Sequence, residues 1–225
     1  MVKNNPTRLR NKTERDIILQ SIFELYPHKT IELDFETPFQ LLMAVMLSAQ
    51  MTDRWVNRAT KKLFEMVKTP ADLIKLEHEK VETMLRSLNY YRVKTRHIFE
   101  TAKKLLAEYG GEIPSTLIEI QTLPGVGIKT AKVVLSHLYD MPFIGVDTHI
   151  HRVMNRMGIV KTKTPDETDK KLENLLSDEQ KKTMHHAIVL FGRYVCTAKK
   201  CRCQETPLME WCRCDECRKL PKLMK

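Results

Sequence analysis

The segment Leu123-Pro-Gly-Val-Gly-Ile-Lys-Thr-Ala131 constrains this chain more than any other, because two of only seven glycines in 225 residues fall in one tight turn. Ile118, Ile120 and Leu123 give a short apolar helical face before it. Ala131, Val133, Val134, Leu135 and Leu138 then form the buried stripe of a second helix, which begins near Ile128. Pro124 separates the two patterns, and Gly125 and Gly127 allow φ > 0 and close approach of another backbone. The spacing therefore predicts two helices joined by a hairpin over residues 123–127. The start of the second helix carries unpaired N–H groups and the positive end of the helix dipole, which together suit an anion such as a phosphate.

Lys129 lies in the first turn of that helix, where the dipole favours anions over cations. The same field favours the free amine, so a phosphate-binding or nucleophilic role fits better than a solvated surface lysine. Eighteen residues later, Asp147 stands in Gly145-Val-Asp-Thr-His-Ile-His-Arg152. It follows an apolar run from Met141 to Val146 and precedes the helical pattern Ile150, Val153, Met154, Met157. That is the place of an N-cap, which fixes the direction of a carboxylate and leaves one oxygen for chemistry. An amine nucleophile with a carboxylate partner, directed at a phosphate backbone, is the expectation.

Composition agrees. A net charge of +10 and an isoelectric point near 9.3 fit a polyanionic partner, since Lys and Arg contacts to phosphate supply most non-specific affinity for DNA. The longest apolar run, around Leu41 to Leu47, falls short of the ~20 residues of a membrane span, so no membrane partner is expected. The start of the chain, with Lys3, Arg8, Arg10 and Lys12, has no apolar core of a secretion signal; a nucleic-acid or organelle arm is the alternative there. Long stretches rich in Leu, Lys, Glu, Ala and Met predict an all-α fold. Helices are expected over 15–26, 38–48, 54–66, 70–76, 81–88 and 94–109, with no internal repeat. All six cysteines fall between Cys196 and Cys217, which speaks for metal binding rather than disulfides. His149, His185 and His186 have no cysteine or carboxylate at ligand spacing, so packing or phosphate contact is expected of them.

Five strings, Leu47-Ser-Ala-Gln-Met-Thr-Asp53, Leu123 to Ala131, Val146-Asp-Thr-His149, His185-His186 and Gly192-Arg-Tyr-Val-Cys196, resemble in order and spacing the endonuclease III branch of the helix-hairpin-helix (HhH-GPD) DNA glycosylases. The resemblance runs from about residue 15 to the cysteine-rich tail. It implies two helical domains with the active site in the cleft between them. One is a six-helix, barrel-like domain over 31–141; the other is built from 1–30 with 142–225 and contains a cluster region at 196–217. It also implies a base excision repair enzyme, bifunctional as glycosylase and abasic-site lyase, acting on oxidised pyrimidines in double-stranded DNA as a monomer. Lys129 would attack C1′ and hold the sugar as a Schiff base, with Asp147 as its helper. A mismatch or oxidised-purine glycosylase on the same scaffold, or a non-catalytic DNA-binding protein, are the alternatives.

A flipped nucleotide leaves a gap in the duplex. The resemblance names Gln50 as its filler and Tyr90 as a second candidate, although relatives carry Gly-Leu-Tyr-Asn where this chain has Asn89-Tyr-Tyr-Arg92. Gly125, Gly127, Ile128 and Thr130 are expected at the phosphates, with His149, Lys199 and Lys200 as further DNA contacts. The family pattern of four cysteines implies a [4Fe-4S] cluster. Cys196, Cys203 and Cys212 occupy its first, second and fourth places, but the third falls on Thr206. Cys217 is expected to complete the set, with Cys201 and Cys214 as alternates; tetrahedral zinc or an empty site are the other readings. A bacterial or archaeal host would hold the protein in the cytoplasm, at the nucleoid.

Overall fold

Ten residues, Pro38–Leu47, form a helix with nine of its positions buried, as a continuous apolar run demands. Thr37 caps it by accepting the Gln40 N–H at 3.2 Å, and Pro38 stands where a helix has no use for an amide proton. Gln40, fully buried, donates through Nε2 to the carbonyls of Phe64 (2.8 Å) and Val67 (2.7 Å) and accepts the Glu36 N–H at 2.7 Å. A buried amide left unpaired would cost about 1–3 kcal/mol; here it ties the helix to the end of the next one.

The computed structural model describes residues 8–27, 31–214 and 217. Among these it is all-helical, with eleven α-helices, one 3-10 turn at Cys203–Glu205 and a single isolated bridge between Cys196 and Cys201. The helices are α1 (Lys12–Leu25), α2 (Pro38–Leu47), α3 (Asp53–Met66), α4 (Pro70–Ile74), α5 (His78–Leu85), α6 (Tyr91–Glu108), α7 (Leu117–Ile120), α8 (Ile128–Tyr139), α9 (Thr148–Arg156), α10 (Pro165–Leu175) and α11 (Asp178–Tyr194). Polar caps start most of them: Asn11 with Glu14, Thr69 with Asp72 and Ser177 with Gln180 are reciprocal capping boxes, each satisfying two otherwise orphaned N–H groups. No described helix is long and apolar enough to cross a membrane.

The contacts divide the chain into two compact units, Ile31–Met141 and Met1–Thr30 with Pro142–Lys225. In the first, α2 packs against α3, α6 and α8, while α6 also meets α4 and α5. In the second, α11 packs on α1 and α9, and α10 lies on α9. Its core joins Ile18 and Ile22 of α1 to Val153 and Met154 of α9 and Ile188 and Phe191 of α11, and all six cysteines border it. Lys3 lies outside the described residues. Arg10 is 5% exposed and is no loose arm: it donates to the carbonyls of Met157 (3.2 Å) and Trp211 (3.1 Å) and lies over the Trp211 ring.

Candidate active site and thiol cluster

The hairpin joins α7 to α8 within the first unit. Gly125 has φ +78°, a region that an L side chain enters at a cost of about 1–2 kcal/mol. A Cβ there would also sit 2.9 Å from His97 Cβ, so backbone and packing both demand glycine. Gly127 differs from the expectation: it is the N-cap of α8 with extended φ −85° and ψ 173°, and a Cβ on it would meet nothing within 4 Å. Ile118 differs too, at 81% exposed. Helix α7 is one turn long and buries only Ile120, while Leu123 closes the core from the turn that follows. In α8, Ala131, Val134 and Leu135 are buried and Val133 and Leu138 only half so.

Ile128, Lys129 and Thr130 form the first turn of α8, and the Ala131 N–H donates to the Gly127 carbonyl at 2.9 Å. Lys129 is exposed. Its place is at the positive end of a twelve-residue helix.

Gln50 and Tyr90 share a feature that no sequence pattern announced. Both are non-glycine residues in the left-handed region, at φ 56° and φ 58°, and both side chains point outward; Tyr90 is 66% exposed. Their loops are stitched together. Asn89 Nδ2 donates to the Gln50 carbonyl at 3.1 Å, and the Asn89 N–H to Met51 Sδ at 3.3 Å. Lys94, only 8% exposed, donates through Nζ to the carbonyls of Leu47 and Ala49, each at 2.8 Å. Burial holds the Lys94 pKa below the ordinary lysine value. Strained backbone held by such bonds is a common mark of a working loop.

In the second unit Asp147 caps α9. Its Oδ1 accepts the Ile150 N–H at 2.8 Å, and its carbonyl accepts the His151 N–H at 2.9 Å. His149 is half-buried, and its Cβ would lie 2.8 Å from a Cβ on Gly192, so glycine is what lets α9 and α11 touch there. Burial above all, with the charges of Arg152 and Arg193, lowers its pKa; Asp147 opposes them. Arg152 was not foreseen. It donates to His149 Nδ1 (3.1 Å), the Gly192 carbonyl (2.7 Å) and the Cys196 carbonyl (2.8 Å), tying α9 to the end of α11. His185 and His186 stack edge to face and join no metal-capable group among the described residues.

The six cysteines are all buried and none is bridged. Cys201, Cys212, Cys214 and Cys217 offer four sulfurs within 4.8 Å of one another, and Cys196, Cys201 and Cys203 a further three. The expected set of Cys196, Cys203, Cys212 and Cys217 is thus not one group: the alternates Cys201 and Cys214 complete the first, and Cys201 belongs to both. Four close thiols at this end of the chain can hold a metal. A cysteine-only donor set is consistent in ligand type with iron–sulfur binding and with zinc. Arg156 donates to Cys196 Sγ at 3.6 Å and holds the carbonyls of Thr197 (2.7 Å) and Ala198 (3.3 Å). It thereby shapes the loop on which Lys199 and Lys200 are exposed.

Comparison with known proteins gives a consistent result. A family model described as "HhH-GPD superfamily base excision DNA repair protein" matches residues 43–178. Endonuclease III of Escherichia coli (strain K12) is 42% identical over 206 residues, which cover 92% of this chain and 98% of that protein. Endonuclease III of Bacillus subtilis (strain 168) is 41% identical, with 90% and 93% covered. A solved structure described as a trapped endonuclease III–DNA covalent intermediate, in an estranged-adenine complex, is similar with a TM-score of 0.87 at 39% identity. It covers 94% of this chain and 99% of that one.

Proposed function

This chain belongs to the HhH-GPD superfamily of base excision DNA repair proteins, in its endonuclease III branch, and on that footing we propose that it is a bifunctional DNA glycosylase and abasic-site lyase that removes oxidised pyrimidines from double-stranded DNA. One observation carries the reading. Lys129, an amine, stands in the first turn of α8 directly after the Gly125 turn, in a chain 39% identical to a protein described as covalently trapped on DNA.

Each residue then has a chemical part. Lys129 Nζ forms a bond to C1′ of the flipped nucleotide while the N-glycosidic bond breaks and the base leaves with the electron pair. The sugar ring opens to a Schiff base, loss of a C2′ proton expels the 3′ phosphate, and water then hydrolyses the imine and frees Lys129. Asp147 helps activate the amine and opposes the positive charge that builds on the sugar; the Ile150 N–H on Oδ1 gives its carboxylate a set direction.

Extrusion of the target costs a few kcal/mol of unstacking. Gln50 and Tyr90, with outward side chains on strained backbone, are proposed to fill the gap. The amides of Gly125, Gly127, Ile128 and Thr130, together with Lys199 and Lys200, are proposed to bind phosphates. His149, whose Nδ1 takes a hydrogen bond from Arg152, is proposed as a further DNA contact. The thiol cluster is structural and takes no redox step; the family resemblance implies a four-iron cluster there. Six unbridged thiols suit a reducing compartment, the cytoplasm with its nucleoid in a bacterial or archaeal cell, and the protein is proposed to act as a monomer.

Borohydride trapping tests the reading. The protein should become covalently linked to an abasic duplex when the imine is reduced, and Lys129→Gln should abolish the link while keeping salt-sensitive binding. Binding by the unaltered protein with no adduct would overturn the lyase assignment.

A further inference from the structure

The thiol cluster has a connectivity that four ligands cannot explain. Cys201 Sγ lies 3.7 Å from Cys212 Sγ and 3.6 Å from Cys217 Sγ, far beyond a disulfide bond of about 2.05 Å. A tetrahedral ion with metal–sulfur bonds of about 2.3 Å needs its thiolates about 3.8 Å apart. A four-iron cluster takes one thiolate per iron, with the inorganic core between them, and needs a wider cage than sulfurs in contact provide. Its third family position is moreover Thr206. The spacing fits ions bound singly.

A tetrad and a triad emerge when the contacts are followed. One is Cys201, Cys212, Cys214 and Cys217. The other is the triad Cys196, Cys201 and Cys203. The two groups share Cys201, whose sulfur lies 3.7 Å from Cys212 Sγ and 3.6 Å from Cys217 Sγ on the side of the tetrad. We infer that the six cysteines build one dinuclear thiolate centre for two zinc-class divalent ions, bridged by Cys201, with Cys212, Cys214 and Cys217 holding one ion and Cys196 and Cys203 the other.

Local geometry supports each end. Cys214 and Cys217 are a C-x-x-C pair, and the Cys217 N–H donates to Cys214 Sγ at 3.3 Å, a bond that strengthens when the sulfur is a thiolate. At the other end the Arg156 guanidinium donates to Cys196 Sγ at 3.6 Å. Two divalent ions and six thiolates leave two negative charges, and Arg156 supplies a cation against them in a buried setting. Zinc suits the site because it accepts sulfur-rich donor sets without a redox change.

Metal content of the full chain, purified anaerobically from cells supplied with both iron and zinc, tests the inference. Two zinc ions per chain, no acid-labile sulfide and a colourless protein are expected. Iron with equal sulfide, or one zinc per chain, would overturn it. Cys214→Ser should release one of the two ions to a chelator and retain the other; a full complement in a Cys214→Ser, Cys217→Ser double variant would remove these residues from the ligand set and sink the dinuclear assignment. If these variants do not fold, cobalt(II) titration of the unaltered protein decides. The electron-spin signal of the first equivalent should fall as the second enters, because a bridging thiolate couples the two spins, whereas additive signals would show separate sites and overturn the bridge.

Discussion

The hairpin and the thiol tail are positioned by opposite means. Around Gly125 the backbone does the positioning: a left-handed glycine, an extended N-cap at Gly127 and the start of α8 follow from local rules and need no ligand. Among the described residues from Cys196 to Cys214 the regular structure is a bridge and one 3-10 turn, and what these residues share with Cys217 is a set of buried sulfurs. A site made of backbone is specified by the order of residues. A site made of side-chain ligands is specified by which atoms meet, and sequence order sets that only loosely.

Removal of metal should separate the two regions most sharply. Structural zinc contributes on the order of 10 kcal/mol to the folding of small thiolate modules, so a strong chelator at neutral pH should open the tail. All six cysteines should then react with a thiol reagent and trypsin should cut at Lys199, Lys200 and Arg202, while hydrogen exchange in α8 stays slow. Equal loss of protection in α8 would break the contrast.

Gly125→Ala probes the other side. The left-handed backbone alone costs about 1–2 kcal/mol, and a methyl 2.9 Å from His97 Cβ adds to it, because that atom is fixed close to the α6 backbone rather than at a flexible tip. Thermal unfolding should show a loss at or above that range with the metal content unchanged. A stability within about 0.5 kcal/mol of the parent would mean that the turn relaxes, and that the hairpin is less rigidly specified than its geometry indicates.

Much of the first unit is legible in the order of its residues. The apolar run of α2, the prolines at the starts of α2 and α4, and the break at Pro124 are signals of period and punctuation. Asp147 is likewise legible as a cap. What escapes is tertiary. Lys94 sits in a helix whose pattern assigns lysines to the surface, yet its amine reaches two loop carbonyls and is buried. Arg152 and Arg156 read as ordinary helix charges, and only folding brings them to the Cys196 carbonyl and sulfur. Spacing alone favours Cys217 over Cys214 and Cys201 in the ligand set, because it says nothing of a sulfur shared by two groups.

The smallest effect is a pH slope, and it compares the two regions residue by residue. His137 in α8 packs edge-on against Phe35, and burial alone lowers its pKa below the ordinary 6.5. His149 is lowered first by burial too, but with Arg152 and Arg193 adding to the shift and Asp147 opposing it. For both, the unfolded chain binds the proton more readily than the folded one. Their stabilising contribution is therefore present above about pH 6.5 and is lost as pH falls through the lowered folded values. Denaturant unfolding between pH 5 and 7 should show stability rising with pH, each histidine adding at most about 1.4 kcal/mol per pH unit. Added salt should change the NMR titration of His149, whose neighbours are charged, and leave that of His137 where it was. Equal salt responses would mean that burial governs both, and Arg152 and Arg193 would then have no part in setting the environment beside Asp147.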